Sequence, residues 1–188
     1  MGATYVSIQV PETPTDVIRR ALRSFNVEDK EGLRAWLGPP IGRWTAIYPQ
    51  FSPEMERFAK RLSATTNGIV LALGAFDEDD LYCNICEAGK DHGYFKVSVG
   101  RKRTGKQREP VIKKLSMLAA HADEAARTAL LEKLCDLREA TFIRDSLIAF
   151  CDTFKIANAR CGYDHIRAGQ YRDDLDQVVD LELVSPDT

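Results

Sequence analysis

The chain has 188 residues, 44% hydrophobic and 29% charged, with a formal net charge of -2 at neutral pH. These totals fit a globular protein that buries a core without metals or disulfides. They exclude a chain that is basic throughout, as a general nucleic-acid binder would be. The first ten residues, MGATYVSIQV, lack the charged start and long apolar stretch of a secretion signal, and Val6 breaks the M-G-x-x-x-[ST] acylation pattern. With no apolar run near the roughly 18 residues of a membrane span, the expectation is a cytoplasmic protein without a membrane partner. Five scattered cysteines, Cys83, Cys86, Cys135, Cys151 and Cys161, read as reduced thiols.

Residues 4 to 10, TYVSIQV, alternate. Val6, Ile8 and Val10 share one face, and Tyr5, Ser7 and Gln9 the other, which is the period of a strand. Thr13 as cap, Pro14 at the first helical position and Asp16 in a capping-box-like place then open a helix. Its apolar stripe is Val17, Ile18, Ala21, Leu22 and Phe25. The grammar returns 38 to 39 residues later: RWTAIY (43–48) as a strand, Ser52-Pro53 as a helix start, and Met55, Phe58, Ala59 and Leu62 as an apolar face. Two such β-α units invite a ferredoxin-like or related α+β sheet, although both start signals are common enough to recur by coincidence.

GIVLALGAF (68–76) is apolar on both faces and predicts a central strand. Asp77 to Asp80 turn the chain, LYCNICEAG follows as a strand ended by Gly89, and YFKVSV (94–99) is a third, giving an antiparallel meander. Beyond it the period becomes helical. The apolar faces are Ile112, Leu115, Leu118 and Ala119; then Ala126, Leu130, Leu134 and Leu137; then Ile143, Leu147, Phe150, Cys151 and Phe154. Residues 175 to 184, LDQVVDLELV, read as a last strand or a docking tail. The expected fold is therefore α+β: a mixed or antiparallel sheet from two β-α units and a three-stranded meander, with a largely helical C-terminal half packed on one face. It is read as a single domain over 1–188, with a sheet-forming part (1–99), a helical part (109–171) and an acidic tail (172–188).

VGRKRTGKQ (99–107) sets Gly100, Gly105 and Lys106 in the G-x-x-x-x-G-K frame of a nucleotide-binding loop. Such a loop links a parallel strand to a helix, so that backbone amides face the phosphates. Here the preceding strand belongs to a meander, Gln107 replaces the metal-binding hydroxyl, and Pro110 would break a helix begun at Lys106. The stretch instead reads as a basic loop. Arg101, Lys102, Arg103, Lys106 and Arg108 are candidate contacts for phosphates or nucleic acid, but no aromatic residue interleaves them for base stacking. A charge run is ordinarily a solvated segment; six acids between Arg172 and Thr188 would screen this one.

Cys83 and Cys86 have metal-ligand spacing, yet residues three apart on a strand face opposite ways, and no second pair completes four ligands. The acidic turn lacks a calcium loop's glycine and final glutamate; Asp77, Asp79 and Asp80 remain candidate partner contacts. Cys161 and His165, four apart, would meet on a helix, but nothing in the sequence supplies an activating third group. Trp36, Trp44, Tyr48 and Tyr82 are candidate interface aromatics, with core packing their commoner use.

The layout is similar in genre to small α+β modules, including immunity-type proteins that bind a toxin; no motif carries that likeness, and no functional residues transfer with it. The expected function is a binding module for a macromolecular partner, a protein, without cofactor, metal or catalytic set. The alternative is a phosphate-rich ligand or nucleic acid held by residues 101–108, and the third reading is an enzyme.

Overall fold

The computed structural model describes residues 5–28, 34–50, 55–76, 79–159, 161–169 and 180–185. In chain order they form β1 (Tyr5–Pro11), α1 (Thr15–Glu28), β2 (Ala35–Ile41), β3 (Trp44–Pro49), α2 (Met55–Thr66), β4 (Ile69–Phe76), β5 (Asp80–Glu87) and β6 (Lys90–Ser98). There follow α3 (Glu109–Met117), α4 (Glu124–Cys135), α5 (Arg144–Phe154), α6 (Tyr163–Arg167) and β7 (Glu182–Val184). The seven strands make one open sheet in the order β6-β5-β4-β1-β3-β2-β7, every neighbouring pair antiparallel. The protein is thus of the α+β class.

α1 carries the chain from β1 to β2, past the place that β3 fills, and α2 carries it from β3 to β4, past β1. Both helices land on the same face. Ile8, Val10, Ile47, Val70, Ala72 and Cys86 meet Ile18, Leu22, Phe25, Phe58 and Leu62 there, and each large side chain so buried contributes about 1.5–3 kcal/mol. Leu71, Leu73, Leu81, Cys83, Ile85, Phe95 and Val97 point the other way, against Val111, Leu115, Leu130, Leu134, Leu147, Phe150 and Phe154 of α3, α4 and α5. Helices therefore cover both faces.

This accounts for β1. On the face of Tyr5, Ser7 and Gln9, Tyr5 is half-buried, while Ser7 and Gln9 are buried under the second helical layer, where the Gln9 amide donates to the Ser7 hydroxyl at 3.1 Å. β2 carries Gly38, Pro39 and Pro40, residues that argue against a strand. It is tolerated because its register with β3 shifts between Leu37 and Pro40. At the β5–β6 hairpin, Ala88 and Gly89 both have positive φ, 46° and 80°, which is the two-residue turn whose twist suits antiparallel strands.

Two helix details differ from expectation. α1 begins at Thr15, and the Thr13 hydroxyl donates to the Pro11 carbonyl at 2.9 Å. In α3 the buried positions are Val111, Lys114 and Leu115, while Ile112 is 42% exposed. The apolar stripe is rotated because a lysine takes one of its places. The Ser52-Pro53 start lies outside the described residues, as does most of the acidic tail, whose described end supplies β7. Among the described residues no helix is long and apolar enough to cross a membrane.

Candidate partner-binding surface

The basic loop leaves β6 with its backbone already bonded. Gly100 N–H donates to the Leu137 carbonyl (2.8 Å), Arg103 N–H to Cys135 (2.7 Å) and Gln107 N–H to Thr104 (3.0 Å), while Leu137 N–H returns to Arg101 (2.8 Å). A nucleotide cradle needs such amides free and convergent. A 3-10 turn over Gly105–Arg108 then leads into α3, and Pro110 falls in the first turn of that helix, where its missing N–H is no loss. The glycines and lysine of the G-x-x-x-x-G-K frame serve a loop clipped to the end of α4.

Its five cations divide into two kinds. Lys102 Nζ lies 3.2 Å from Asp136 Oδ2, and Arg138 grips the same carboxylate with two bonds of 2.8 Å. Arg138 first, then Lys102, hold the Asp136 carboxyl far below the usual carboxylate range. Arg108 pairs with Glu132, and Arg103 donates to the carbonyls of Lys96 and Gln107. The side chains of Arg101 and Lys106 are exposed and make no hydrogen bond or ion pair among the described residues, although the Arg101 charge helps to lower the Asp80 pKa. The acids that answer the loop come from the end of α4. Glu182, in the described part of the tail, instead pairs with Arg19 of α1 at 2.8 Å.

Of the acidic turn, Asp77 lies outside the described residues, and Asp79 is exposed. Asp80 is engaged across the β5–β6 pair, accepting from the Ser98 hydroxyl at 2.6 Å and facing Lys96 Nζ at 2.8 Å. Burial opposes its charge, yet those two groups hold its carboxyl below the ordinary value.

Cys83 and Cys86 point into the two opposite cores, and burial pushes both thiols up, Cys86 to about 12. Cys161 is fully buried beside Ala46, Tyr48 and Ile166, while the His165 ring stacks on Tyr5 at 5.3 Å. Cys161 precedes α6, whose N-cap is Gly162, so the four-residue spacing does not run along one helix. No three His, Cys, Asp or Glu side chains among the described residues are placed to hold a metal ion. Of the candidate aromatics, Trp44 and Tyr48 belong to the core. Their polar atoms face inward, Trp44 Nε1–H to the Phe154 carbonyl and the Tyr48 hydroxyl to the Asn158 carbonyl, both at 2.8 Å.

The surface that sequence reasoning missed is centred on Tyr94. It stands 56% exposed on β6, and its ring stacks on Tyr82 of β5 with centroids 4.7 Å apart and planes 29° apart. The Tyr82 hydroxyl donates to Glu56 of α2; burial first, then that carboxylate, raises its pKa. The rings are thus fixed from below and open above, with Lys96 next along the strand. The available signal was the alternation in YFKVSV: Phe95 and Val97 point inward, which leaves Tyr94 and Lys96 outward.

An open cleft of about 500 Å³ lies between the β2–β3 turn and the end of α5, with Asp152 and Lys155 on its wall. A smaller groove of about 240 Å³ separates α3 from α4 beside Ile112 and Leu131. Cys151 also lines the first, and Ser116, Glu124, Arg127 and Thr128 line the second. The sequence matches no protein-family model, no curated protein and no solved structure.

Proposed function

We propose that the protein is a binding module for a macromolecular partner, a protein, in an immunity-type or adaptor role. The observation that carries this reading is the exposed Tyr94 ring, stacked on a Tyr82 whose hydroxyl is held by Glu56. A rigid aromatic contact ringed by charged side chains loses little conformational freedom on docking, which is why tyrosines recur at the centres of protein interfaces. We read β1–α1 and β3–α2 as its two β-α units and β4–β6 as its meander, a frame that presents Tyr94 on a strand rather than a loop. The test is capture from a lysate of the organism that encodes it, with wild type and Tyr94→Ala side by side. A stoichiometric protein held by wild type and lost by the variant is the expected result. Absence of such a protein, or equal capture by both, would sink the reading.

Arg101 and Lys106 favour a second reading, a phosphate-rich ligand or nucleic acid at the basic loop, because their side chains are exposed and form no ion pair among the described residues. It is tested by titrating a fluorescent single-stranded oligonucleotide at several salt concentrations, against the variant Arg101→Ala/Lys106→Ala. Binding that is absent at low salt, or unchanged by the double substitution, removes it.

A further inference from the structure

The way α3 is turned decides what lies between it and α4. Lys114 is the one charged residue buried among the described residues, and its Nζ donates to the His92 carbonyl of β6. Val111 and Leu115 are buried beside it on the same helix. With that face on the sheet, Ile112 is left outside the core, 42% exposed. It lines the groove of about 240 Å³ between the two helices instead.

The lining has an apolar end and a polar end. Glu124, Arg127, Thr128 and Leu131 recur at the spacing that sets residues on one face of a helix, and this face of α4 meets Ile112, Leu115 and Ser116 of α3 across the groove. Along the chain, Ile112 and Leu131 lie farther from the connection 118–123 than Ser116 and Glu124 do. Hydrocarbon therefore gathers at one end and charge at the other.

Arg127 is the residue that the fold does not explain. Its Nε is buried and has no hydrogen-bond partner. Its guanidinium makes no ion pair among the described residues, although Glu124 lines the same groove. A buried N–H without an acceptor costs free energy, and a surface arginine ordinarily avoids that cost by turning its head to water. A carboxylate would meet Nε and one terminal nitrogen with two parallel bonds. A phosphate or sulfate would leave the apolar walls bare, and a neutral hydrocarbon would leave Nε unbonded. Glu124 limits the charge of the ligand, because a second negative group at the polar end would face its carboxylate.

We propose that the α3–α4 groove binds a small amphipathic monocarboxylate, its carboxylate on the Arg127 guanidinium and its apolar tail against Ile112, Leu115 and Leu131. The inference does not rest on the partner proposed above.

Hexanoate is the probe, followed through the amide NMR shifts of the isotope-labelled full chain. Shifts that saturate and cluster on residues 112–116 and 124–131 are expected, with a dissociation constant of about 1 mM or lower. Hexanamide has the same tail without the charge, and acetate the same charge without the tail; each should bind about tenfold more weakly. Arg127→Gln should weaken hexanoate about tenfold and bring it level with hexanamide. Ile112→Ser should weaken hexanoate and leave acetate unchanged. Both side chains are partly exposed, so both variants are expected to fold, as circular dichroism would show. Absence of saturable shifts at these residues overturns the proposal. So does hexanamide binding as tightly as hexanoate, or hexanoate binding to Arg127→Gln as tightly as to wild type. Should Arg127→Gln fail to fold, the comparison of hexanoate, hexanamide and acetate on wild type carries the test, and equal binding of the first two overturns the proposal.

Discussion

Trp44 and Phe154, 110 residues apart in sequence, are joined by a 2.8 Å hydrogen bond from the indole Nε1–H to the backbone carbonyl, with both residues buried. The bond ties β3 to the last turn of α5. Trp44→Phe keeps most of the ring but leaves that carbonyl unpaired in the core, so it should cost about 1–3 kcal/mol. Urea denaturation followed by circular dichroism measures the loss; an unchanged midpoint would show that the bond contributes nothing.

His121 packs against the same indole, with ring centroids 5.1 Å apart. Burial first, and then the Arg43 guanidinium, push its pKa below the ordinary 6.5, against a smaller pull from Glu12. The unfolded chain therefore takes up a proton in a window where the folded chain does not. Stability from this source is complete above pH 6.5 and is lost as pH falls through the lower folded value. Denaturation midpoints at pH 7.5 and 5.5 should differ for wild type and converge for His121→Phe, which keeps the ring and removes the titration.

The five cysteines are all free and buried. At pH 8 a thiol-reactive dye should label none of them until denaturant is added, and rapid labelling of the native protein would contradict their placement. Cys86 adds a pH dependence of the opposite sense to that of His121. Its folded pKa is pushed up to about 12 from an ordinary 9.0, chiefly by burial and then by Asp91 and Glu56. Its contribution is full below pH 9 and is lost as pH rises toward 12. Cys86→Ala should flatten that part of the alkaline limb in a pH series of denaturation midpoints.

The division of the basic loop into engaged and free cations fixes a slope. If an oligonucleotide binds there through Arg101 and Lys106 alone, log K against log salt should fall with a slope of about -1.4; five phosphate contacts would give about -3.5. The steeper value would mean that the partners of Lys102, Arg103 and Arg108 give way on binding.

Ala88 occupies a left-handed position at the β5–β6 turn, with φ of 46°, where an L side chain costs about 1–2 kcal/mol. Ala88→Gly should raise stability by about 1 kcal/mol. A lower thermal midpoint would show that the side chain contributes more than its backbone conformation costs.

Local patterns carried much of this fold and less of its surface. Val6, Ile8 and Val10 mark β1, and Ile143, Leu147, Phe150 and Phe154 mark α5, because period alone identifies a buried face. β2 was illegible, since Gly38, Pro39 and Pro40 obscure a strand that exists only through its pairing with β3 and β7. The rotated face of α3 was hidden for a related reason: Lys114 is buried by a carbonyl on β6, 22 residues away. The basic loop is visible in the sequence as a run of charge, but the pairing of Lys102 and Arg108 depends on Asp136 and Glu132, which only the folded chain brings near. Tyr94 is legible from alternation, since Phe95 and Val97 point inward and leave it outward.

The sheet keeps two cores apart, one under α1 and α2 and the other under α3 to α5. Substitutions in the two are separated by a layer of backbone and share few partners, so their energetic effects should add. Either half can then accumulate change without compensation in the other. The exceptions are β1, β3 and β4, whose residues are buried on both sides. There a replacement must satisfy two neighbourhoods at once, which makes these strands the slowest part of the molecule to drift.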